Sequence, residues 1–362
     1  MVKALVATGV NQPLTVQDVQ LRRLADGDVR VRITAAGVCH SDLSLLNGTL
    51  APQFPIIVGH EAAGRVVEVG SSVTDVSIGD HVVLNWATPC RECWFCLQGE
   101  PWLCSAVEGA VAVDTGTTNA AGTVYSALGV GAFAEEVVVP SASVIPVPKA
   151  LPWEVAALLG CAVLTGVGAV QNTGHVEPGQ TALVIGLGGI GLSAVLGARL
   201  SGASKIIAAD LNPDKEALAR SVGATDFVLS DPALARTVRQ LTDGRGVDQA
   251  FECVGHPATI RTAWTSVRRG GSCTIVGVGS KTQEVTFNPL ELFHFSRTLT
   301  SSIYGASDPD KDIPKLVDHY LGGRLNLDAL ITHRVGLNDV PTAFERMATG
   351  SGVRTVAVFE EA

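Results

Sequence analysis

The hydrophobic pattern of the chain changes near residue 150. Before that point, short β-branched runs such as DVRVRITAAGV (28–38) and AAGRVVEVG (62–70) are separated by Gly, Pro and Asp, which is typical of strands. After it, an apolar segment of helical length and composition (151–170) is followed by strands and helices in regular alternation. Such alternation predicts a doubly wound parallel sheet, so we expect an α/β protein.

The pattern also predicts two domains, because 362 residues are too many for one compact core. We expect a β-rich domain formed by residues 1–162 and by a returning segment, 303–362. The α/β domain would then consist of residues 163–302. Residues 107–130 are rich in Gly, Ala and Thr and are expected to form a long loop, and loops of that length are often functional.

A glycine-rich turn follows the predicted strand TALVI. The sequence GLGGIG carries Gly186, Gly188 and Gly191 in the spacing G-x-G-x-x-G, with Gly189 and Ile190 between them, and it opens an apolar helix. The first glycine permits a tight turn, the second lets the backbone approach a pyrophosphate, and the third allows close packing of helix and strand. The unpaired N–H groups of the helix N-terminus then face the phosphates, so the context predicts a dinucleotide site.

The cofactor is expected to be NAD. The strand KIIAAD ends at Asp210, where a carboxylate can accept hydrogen bonds from the ribose hydroxyls and repel a 2′-phosphate; the alternative is a cap for the next helix. Lys215 is either a second ribose contact or a solvated helix lysine. Ligands bind at the carboxyl ends of parallel strands, so the backbone there should also contact the cofactor, near Val254, Val276, Gly277 and Val278.

Four cysteines, Cys90, Cys93, Cys96 and Cys104, lie in the run PCRECWFCLQGEPWLC. The spacing C-x2-C-x2-C-x7-C lets four thiolates converge on one tetrahedral Zn²⁺. Such a site has no open position for a substrate, so we expect a structural zinc lobe over residues 88–106. Two disulfides would be expected in a secreted chain, and iron–sulfur signatures usually place a proline or another fixed step beside the cysteines.

A second, scattered set comprises Cys39, His60 and Cys161. Three protein ligands with an open fourth position are the arrangement of a catalytic zinc. Each residue also has a plainer interpretation: Cys161 as a buried thiol in an apolar helix, and His60 as a core histidine whose hydrogen bonds are satisfied. Spacing alone does not choose between these interpretations.

Composition narrows the class of partner. The net charge is −9 and the basic residues are not clustered, which argues against binding to nucleic acid or to an anionic membrane surface. The N-terminal sequence does not resemble a signal peptide, and the longest apolar runs are interrupted by glycine. We therefore expect a cytoplasmic protein with a small-molecule substrate, in which the eight cysteines are ligands or buried thiols.

A family resemblance joins these motifs. The segment GHEAAGRVVEVG (59–70) fits the zinc signature G-H-E-x2-G-x5-G, and the cysteine lobe and glycine turn follow in the expected order. The whole chain resembles a zinc-dependent alcohol dehydrogenase of the medium-chain dehydrogenase/reductase superfamily, in the branch with animal and plant alcohol dehydrogenases and thiol-dependent formaldehyde dehydrogenases. The resemblance implies a GroES-like catalytic domain, a Rossmann NAD-binding domain, one catalytic and one structural Zn²⁺, and a homo-oligomer, with a dimer favoured over a tetramer.

The resemblance also assigns roles at the scattered set. It implies that Cys39, His60 and Cys161 ligate the catalytic zinc and that Glu61 serves as a transient fourth ligand from behind. Asp42 would orient His60 by accepting a hydrogen bond from its second ring N–H.

Further roles follow from the same resemblance. Ser41 would hydrogen-bond the substrate oxygen, and Trp86 would line the substrate pocket. Ser44 stands where relatives carry a histidine that relays the proton to solvent, which puts the relay beyond Ser41 in doubt. Additional cofactor contacts are expected from His40, Thr165, Tyr304 and Arg354.

The implied activity is the interconversion of primary alcohols and aldehydes by hydride transfer to and from NAD, with the catalytic zinc activating the alkoxide. Trp86 would narrow the pocket and favour primary alcohols. The close alternative is a mycothiol- or glutathione-dependent formaldehyde dehydrogenase; the absence of basic residues from 107–130 argues mildly against the glutathione version. A more distant alternative is a non-catalytic relative that binds a nucleotide.

Overall fold

The computed structural model describes residues 1–350 and 352–359. Its strands are β1 (Val2–Ala7), β2 (Thr15–Val19), β3 (Asp28–Gly37), β4 (Ile56–Ile57), β5 (Glu61–Val69), β6 (His81–Leu84), β7 (Ala112–Val113), β8 (Thr118–Asn119), β9 (Gly122–Thr123), β10 (Tyr125–Ala127), β11 (Glu136–Pro140), β12 (Val144–Val147), β13 (Thr181–Ile185), β14 (Lys205–Asp210), β15 (Asp226–Leu229), β16 (Val247–Glu252), β17 (Val267–Ile275), β18 (Thr298–Ser301), β19 (Ile331–Val335) and β20 (Arg354–Val358).

The α-helices are α1 (His40–Leu46), α2 (Trp94–Leu97), α3 (Trp153–Leu158), α4 (Leu164–Gly168), α5 (Gly189–Leu200), α6 (Glu216–Val222), α7 (Leu234–Leu241), α8 (Pro257–Ser266), α9 (Pro289–His294), α10 (Pro309–Leu321) and α11 (Val340–Ala348). Short 3₁₀ turns lie at Pro101–Leu103, Ser105–Val107, Ser141–Ser143, Pro213–Lys215, Tyr304–Ala306, Asp328–Leu330 and Leu337–Asp339.

The chain folds into two compact units. The first contains Met1–Ala162, Asp308–Gly322 and Ile331–Ala362, and the second contains Val163–Ser307 and Gly323–Leu330. The chain thus enters the second unit after Ala162 and returns at Asp308, later than the expected residue 303, and residues 323–330 rejoin the second unit.

The second unit is a parallel sheet with the strand order β15-β14-β13-β16-β17-β18. Its central strands β13 and β14 are apolar and almost continuously buried, as expected for a parallel sheet covered by helices on both faces. Leu183, Ile207 and Trp264 belong to its core. This architecture confirms the prediction of a doubly wound α/β fold.

The first unit is β-rich, as the sequence predicts. One sheet has the order β2-β1-β4-β10-β7; the other has the order β12-β6-β5-β3-β20-β19, with β11 also paired to β3. Leu5, Ile33 and Phe133 lie in the core of this unit. Residues 107–130 do not form the continuous loop that was expected, because β7 and β10 pair within the first sheet and β8 pairs with β9.

One long helical segment, Trp153–Thr173, carries the chain from one unit into the other. It combines α3 and α4 with two π-helical stretches, Leu159–Val163 and Ala169–Thr173. Glycines interrupt this apolar run, as expected, but they do not end the helix, which is long and apolar enough to cross a membrane by length and composition. Its apolar window is, however, 89% buried inside the protein, as in a core helix.

Candidate active site and metal centres

Four side chains from separate segments converge inside the first unit. The ligand atoms of Cys39, His60, Glu61 and Cys161 all lie within 4.8 Å of one another, and all four residues are buried. Cys39 follows β3, His60 and Glu61 stand at the start of β5, and Cys161 lies in the first π-helical stretch. Because Gly37 of β3 pairs with Glu61 of β5, sheet register brings the first two segments together.

Glycines permit this close approach. A Cβ on Gly37 would lie 2.4 Å from Oε2 of Glu61, and a Cβ on Gly160 would lie 2.4 Å from the carbonyl oxygen of Leu84. The π-helical turn that contains Cys161 widens the helix locally, a feature that often marks functional sites. Backbone contacts therefore place the ligands of the cluster.

Asp42 orients His60. Its Oδ1 lies 3.1 Å from Nδ1 of His60 and also accepts the N–H of Gly59 at 2.8 Å. A proton on Nδ1 leaves a lone pair on Nε2, and Nε2 has no hydrogen-bond partner among the described residues. A buried imidazole nitrogen with a free lone pair fits a metal ligand better than a core histidine whose hydrogen bonds are satisfied.

The electrostatics of the cluster also fit a cation. A hydrogen bond from Cys161 and the nearby positive charge of Arg354 hold the pKa of Cys39 well below its usual value, against the effect of burial. Burial raises the pKa of Glu61 to about 8, although Arg354 acts in the opposite direction. Burial would lower the pKa of His60, but the negative charges of Asp42 and Cys39 raise it well above its usual value. The donors of this cluster therefore suit a soft divalent ion such as Zn²⁺.

Arg354 lies on the inner side of this cluster. Its Nη2 is 3.2 Å from Oε1 of Glu61, and its Nη1 donates to the carbonyl oxygen of Val38 at 3.0 Å. The guanidinium is buried, and its ion-pair partner in the cluster is Glu61. Its contact with the cofactor phosphates stays a prediction.

Two further predicted residues lie beside the cluster, and a third, His40, precedes Ser41 in the chain. The Oγ of Ser41 lies 3.8 Å from the Sγ of Cys39, and this residue is half-buried. The ring of Trp86 meets His60 edge to face, with 6.3 Å between the ring centroids. His40 is exposed at the start of α1. Serine and tryptophan therefore lie beside the predicted ligands, as a substrate site would require.

The four-cysteine run forms the second cluster, and its sulfur atoms also lie within 4.8 Å of one another. The N–H of Cys90 donates to the sulfur of Cys104 at 3.2 Å, and the N–H of Cys93 donates to the sulfur of Cys90 at 3.3 Å. Hydrogen bonds from the backbone of Cys96 and Ser105 lower the pKa of Cys93 to about 6. All four cysteines are free thiols, so the alternative of two disulfides does not hold. Four converging sulfurs with N–H donors fit a closed zinc site.

An ion cluster, formed by Arg91, Asp308, Asp310 and Lys311, connects this lobe to the start of α10. Arg91 donates to both carboxylate oxygens of Asp308, at 3.0 and 2.6 Å, and also pairs with Asp310. Lys311 completes the group at 3.1 Å from Asp308. The lobe is thus attached through an arginine that lies between two of its own cysteines.

The predicted dinucleotide edge lies in the second unit. Gly186 has a φ of 89°, which favours glycine, and a Cβ on Gly191 would lie 1.8 Å from the carbonyl oxygen of Gly186. Gly188 is the N-cap of α5, which begins at Gly189 and continues through Ile190. The tight turn and the open helix N-terminus required for a pyrophosphate are both present.

Asp210 is held at the same edge. Its Oδ2 accepts the N–H of Leu187 at 2.7 Å, and its Oδ1 accepts the N–H of Asn212 at 2.9 Å. Asn212, not Asp210, caps the following 3₁₀ turn through its side chain. Lys215 is buried, which lowers its pKa against the nearby charge of Asp210, so it is not a solvated helix lysine.

The other expected cofactor contacts differ in exposure. Val254 and Val278 are exposed, while Val276 is buried beside Gly277. Thr165, in α4, and Tyr304 are buried in the second unit. Glu252 also lies at this edge, and it was not identified from the sequence because it belongs to no motif. What could have indicated it is a charged residue directly after the apolar residues that end β16.

Comparison with known proteins gives the same picture. Residues 25–149 match the alcohol dehydrogenase GroES-like domain, and residues 189–321 match the zinc-binding dehydrogenase family. The chain is 38% identical to an alcohol dehydrogenase class-3 of Drosophila melanogaster, over 98% of this chain and 96% of that protein. It is 37% identical to an S-(hydroxymethyl)glutathione dehydrogenase of Synechocystis sp., over 98% of each.

Solved structures agree. An alcohol dehydrogenase zinc-binding domain protein from Burkholderia ambifaria superimposes with a TM-score of 0.94 at 31% identity, over 99% of both chains. Benzyl alcohol dehydrogenase from Acinetobacter calcoaceticus gives a TM-score of 0.92 at 27% identity, over 99% of both chains. The chain therefore belongs to the zinc-dependent alcohol dehydrogenases of the medium-chain dehydrogenase/reductase superfamily, enzymes that use zinc and NAD.

Proposed function

We propose that this protein interconverts primary alcohols and aldehydes, with NAD as the hydride acceptor and donor. The observation that carries the proposal is the buried cluster of Cys39, His60, Glu61 and Cys161, with a half-buried serine beside it. Zinc in this cluster supplies a Lewis acid that favours the deprotonated form of an alcohol. NAD supplies the hydride chemistry, and the protein supplies position and electrostatics.

The chain's own residues have distinct jobs in this proposal. Asp42 fixes the tautomer of His60 through Nδ1, so that Nε2 and the two thiolates would hold the metal. Glu61 is buried, pairs with Arg354 and would serve as the transient fourth ligand. Ser41 takes the substrate proton at its Oγ. Ser44 is buried and stands where relatives carry the relay histidine, so this position offers no imidazole to carry the proton onward from Ser41.

The cofactor edge supports NAD over NADP. The carboxylate of Asp210 is held by two backbone N–H groups beside the glycine turn, where it would accept hydrogen bonds from a ribose and repel a 2′-phosphate. Lys215 lies close enough to affect the charge balance of Asp210 and is the second ribose contact in this proposal. Thr165 and the backbone of Tyr304 are assigned to the nicotinamide side.

The second candidate is oxidation of a formaldehyde–thiol adduct. It is favoured by the names of two relatives, the class-3 alcohol dehydrogenase and the S-(hydroxymethyl)glutathione dehydrogenase. The edge-to-face contact of Trp86 with His60 favours a narrow pocket and hence simple primary alcohols. Residues 107–130 contain no lysine, arginine or histidine to meet a glutathione carboxylate.

One assay separates these candidates. NAD reduction is followed with ethanol, butanol and benzyl alcohol, and in parallel with formaldehyde alone, with glutathione and with mycothiol. We expect turnover of simple primary or benzylic alcohols without any thiol. Activity that requires a thiol together with formaldehyde would replace the first candidate by the second, and inertness toward every substrate would favour a non-catalytic nucleotide-binding relative.

We also infer a cytoplasmic homodimer that acts on small molecules without a nucleic acid or membrane partner. The net charge of −9 supports the absence of anionic partners. Leu290 and Phe293 of α9 are 68% and 81% exposed, and such apolar exposure favours self-association. Light scattering coupled to size-exclusion chromatography would give the mass, and the mass of a single chain would contradict this inference.

A further inference from the structure

Glu252 occupies a central place in the second unit that the mechanism above does not use. It is the last residue of β16, where it pairs with Ile185 of β13 on one side and Ile275 of β17 on the other. Its side chain is fully buried at the carboxyl edge of the sheet. This is the edge at which open parallel sheets bind their ligands.

The carboxylate of Glu252 is bound by the turn that follows it. Its Oε1 accepts the N–H groups of Val254 and Gly255, each at 3.0 Å, and the hydroxyl of Thr259 at 2.7 Å. Its Oε2 accepts the N–H of Gly255 at 3.0 Å. Since Thr259 belongs to α8, one side chain fixes both the turn and the first part of the next helix.

The main chain of the same residue reaches the neighbouring strand. The carbonyl oxygen of Glu252 accepts the N–H groups of Val276 and Gly277, at 2.8 and 2.9 Å. The turn after β16 and the turn after β17 are thus both attached to Glu252. These are the turns from which backbone contacts with the cofactor are expected.

The turns at this edge also pack closely against one another. A Cβ on Gly186 would lie 2.5 Å from Cγ2 of Val254, and a Cβ on Gly277 would lie 2.2 Å from the nitrogen of Gly255. A displacement of Val254 and Gly255 would therefore be transmitted to the glycine turn on one side and to Gly277 on the other.

Burial of a carboxylate at this position is unfavourable in free energy. Its hydrogen bonds come from backbone N–H groups and from Thr259, and burial raises its pKa against the effect of these bonds. An apolar side chain would pack there without that cost. What it could not do is accept several N–H and O–H groups at once, which a carboxylate does with two oxygens.

We propose that Glu252 is a positioning residue for the nicotinamide cofactor. Its carboxylate holds the turn of Val254 and Gly255 at the place and orientation in which that turn and the adjacent glycine turn receive the dinucleotide. The inference rests on the proposed function, because it takes the bound molecule to be NAD. Glu252 acts through the backbone of its neighbours and does not itself contact the reacting atoms.

The test compares three variants of the full-length, zinc-loaded enzyme by titration of NADH fluorescence. Glu252→Ala should weaken NADH binding by about 10- to 100-fold, the effect of losing hydrogen bonds to a charged acceptor. Glu252→Gln keeps one acceptor oxygen but places an NH₂ group against the N–H of Gly255, so we expect an intermediate loss. Thr259→Val removes one donor and should weaken binding by about 2- to 5-fold.

Two readouts distinguish positioning from a general effect on stability. KM for NAD should rise in the order Thr259→Val, Glu252→Gln, Glu252→Ala, while KM for the alcohol stays within about twofold, because the zinc cluster is untouched. Hydrogen exchange should accelerate at the amides of Val254 and Gly255 in the cofactor-free protein. Thr274→Val, at a buried position of β17 whose hydroxyl has no hydrogen-bond partner, is the matched control and should leave NADH binding unchanged.

The outcomes are distinct. Unchanged NADH affinity in Glu252→Gln and Thr259→Val would overturn the proposal even if Glu252→Ala does not fold. Equal losses in KM for NAD and for the alcohol would also overturn it, since they would indicate general destabilisation. If the unmodified enzyme fails to bind NADH at all, the proposed function itself is wrong, whereas the positioning claim alone fails if the unmodified enzyme binds NADH and the variants match it.

Discussion

The two cysteine clusters of the first unit draw on the same metal chemistry but are built in opposite ways. The four cysteines of the lobe come from one fifteen-residue segment, 90–104, and three of them are half-exposed. The inner cluster combines Cys39, His60, Glu61 and Cys161 from three distant segments, and every member is buried. The cysteines of the lobe can come together within one short segment, whereas the residues of the inner cluster meet only once the sheet and the long helix have formed.

The difference in burial between the two clusters indicates that the lobe contributes to stability and the inner cluster to catalysis. In the lobe, backbone N–H groups donate to the sulfurs of Cys104 and Cys90 close to the surface, and the four cysteines would occupy all four positions of a bound zinc. In the inner cluster, burial raises the pKa of Glu61, a hydrogen bond from Cys161 lowers that of Cys39, and the cluster lies beside a half-buried serine. We therefore expect damage to the inner cluster to remove activity and damage to the lobe to remove stability.

The largest effect is expected at the inner cluster. Cys161→Ser should reduce kcat/KM by about 1,000-fold or more, because the Lewis acid contributes several kcal/mol to the reaction. Zinc measured by plasma mass spectrometry should fall from two ions per chain to one. Cys273→Ser is the matched control at another buried cysteine and should retain both ions. Full activity in Cys161→Ser would contradict the assignment of the catalytic site.

Asp42, which accepts a hydrogen bond from Nδ1 of His60, should have the next largest effect when it is replaced. Asp42→Asn loses the charged acceptor for Nδ1 of His60, and loss of such a partner typically costs about 10- to 100-fold in metal affinity or activity. The expected result is a lower kcat together with faster loss of one zinc to a chelator. Restoration of kcat by added zinc would support the role in metal binding; an unchanged rate of zinc loss would argue against it.

Substitution of a lobe cysteine should lower stability and leave the rate of the reaction nearly unchanged. Cys104→Ser should release the other zinc ion and lower the free energy of unfolding by several kcal/mol, since structural zinc binding is coupled to folding. The folded fraction should keep kcat within about threefold, because the inner cluster is untouched. Thermal unfolding and single-turnover rates measured on the same sample would check both parts. A loss of chemistry as large as that of Cys161→Ser would break the comparison.

The smallest effect is expected at the ion cluster that fastens the lobe. Arg91→Ala should lower the free energy of unfolding by about 1 kcal/mol, since the arginine is 43% exposed and such pairs contribute little. Burial alone would raise the pKa of Asp308, but hydrogen bonds from Arg91 and Lys311 outweigh it and hold the pKa below its usual value.

That shift sets the pH dependence of the same variant. A carboxylate with a depressed pKa contributes stability above its unfolded pKa, which is about 3.9, and loses the contribution as the pH falls through the folded value. The difference between the unmodified protein and Arg91→Ala should be constant from about pH 5 to 8 and should shrink below about pH 4. A difference that grows at low pH, measured by urea unfolding, would exclude Asp308 as the partner that matters.

Much of the architecture could be predicted because its signals are local. The alternation of apolar runs and helices after residue 150 predicts the parallel sheet, and GLGGIG predicts the turn at which Gly188 caps α5. The segment 107–130 was predicted less well. Its short strands, β7 to β10, are only two or three residues long, which leaves almost no periodic signal, and β10 also pairs with β4 outside the segment.

The sequence by itself determined the lobe, since four thiols within fifteen residues can converge without the rest of the chain. It also determined the glycine turn and the position of Asp210 at a strand end. Only the tertiary structure decided that His60 lies with Nδ1 against Asp42 and Nε2 without a partner, and that Glu61 meets Arg354 in the same buried space. The physical reason is distance along the chain: these contacts depend on sheet register and on a π-helical turn, and neither can be inferred from residues that are neighbours in sequence.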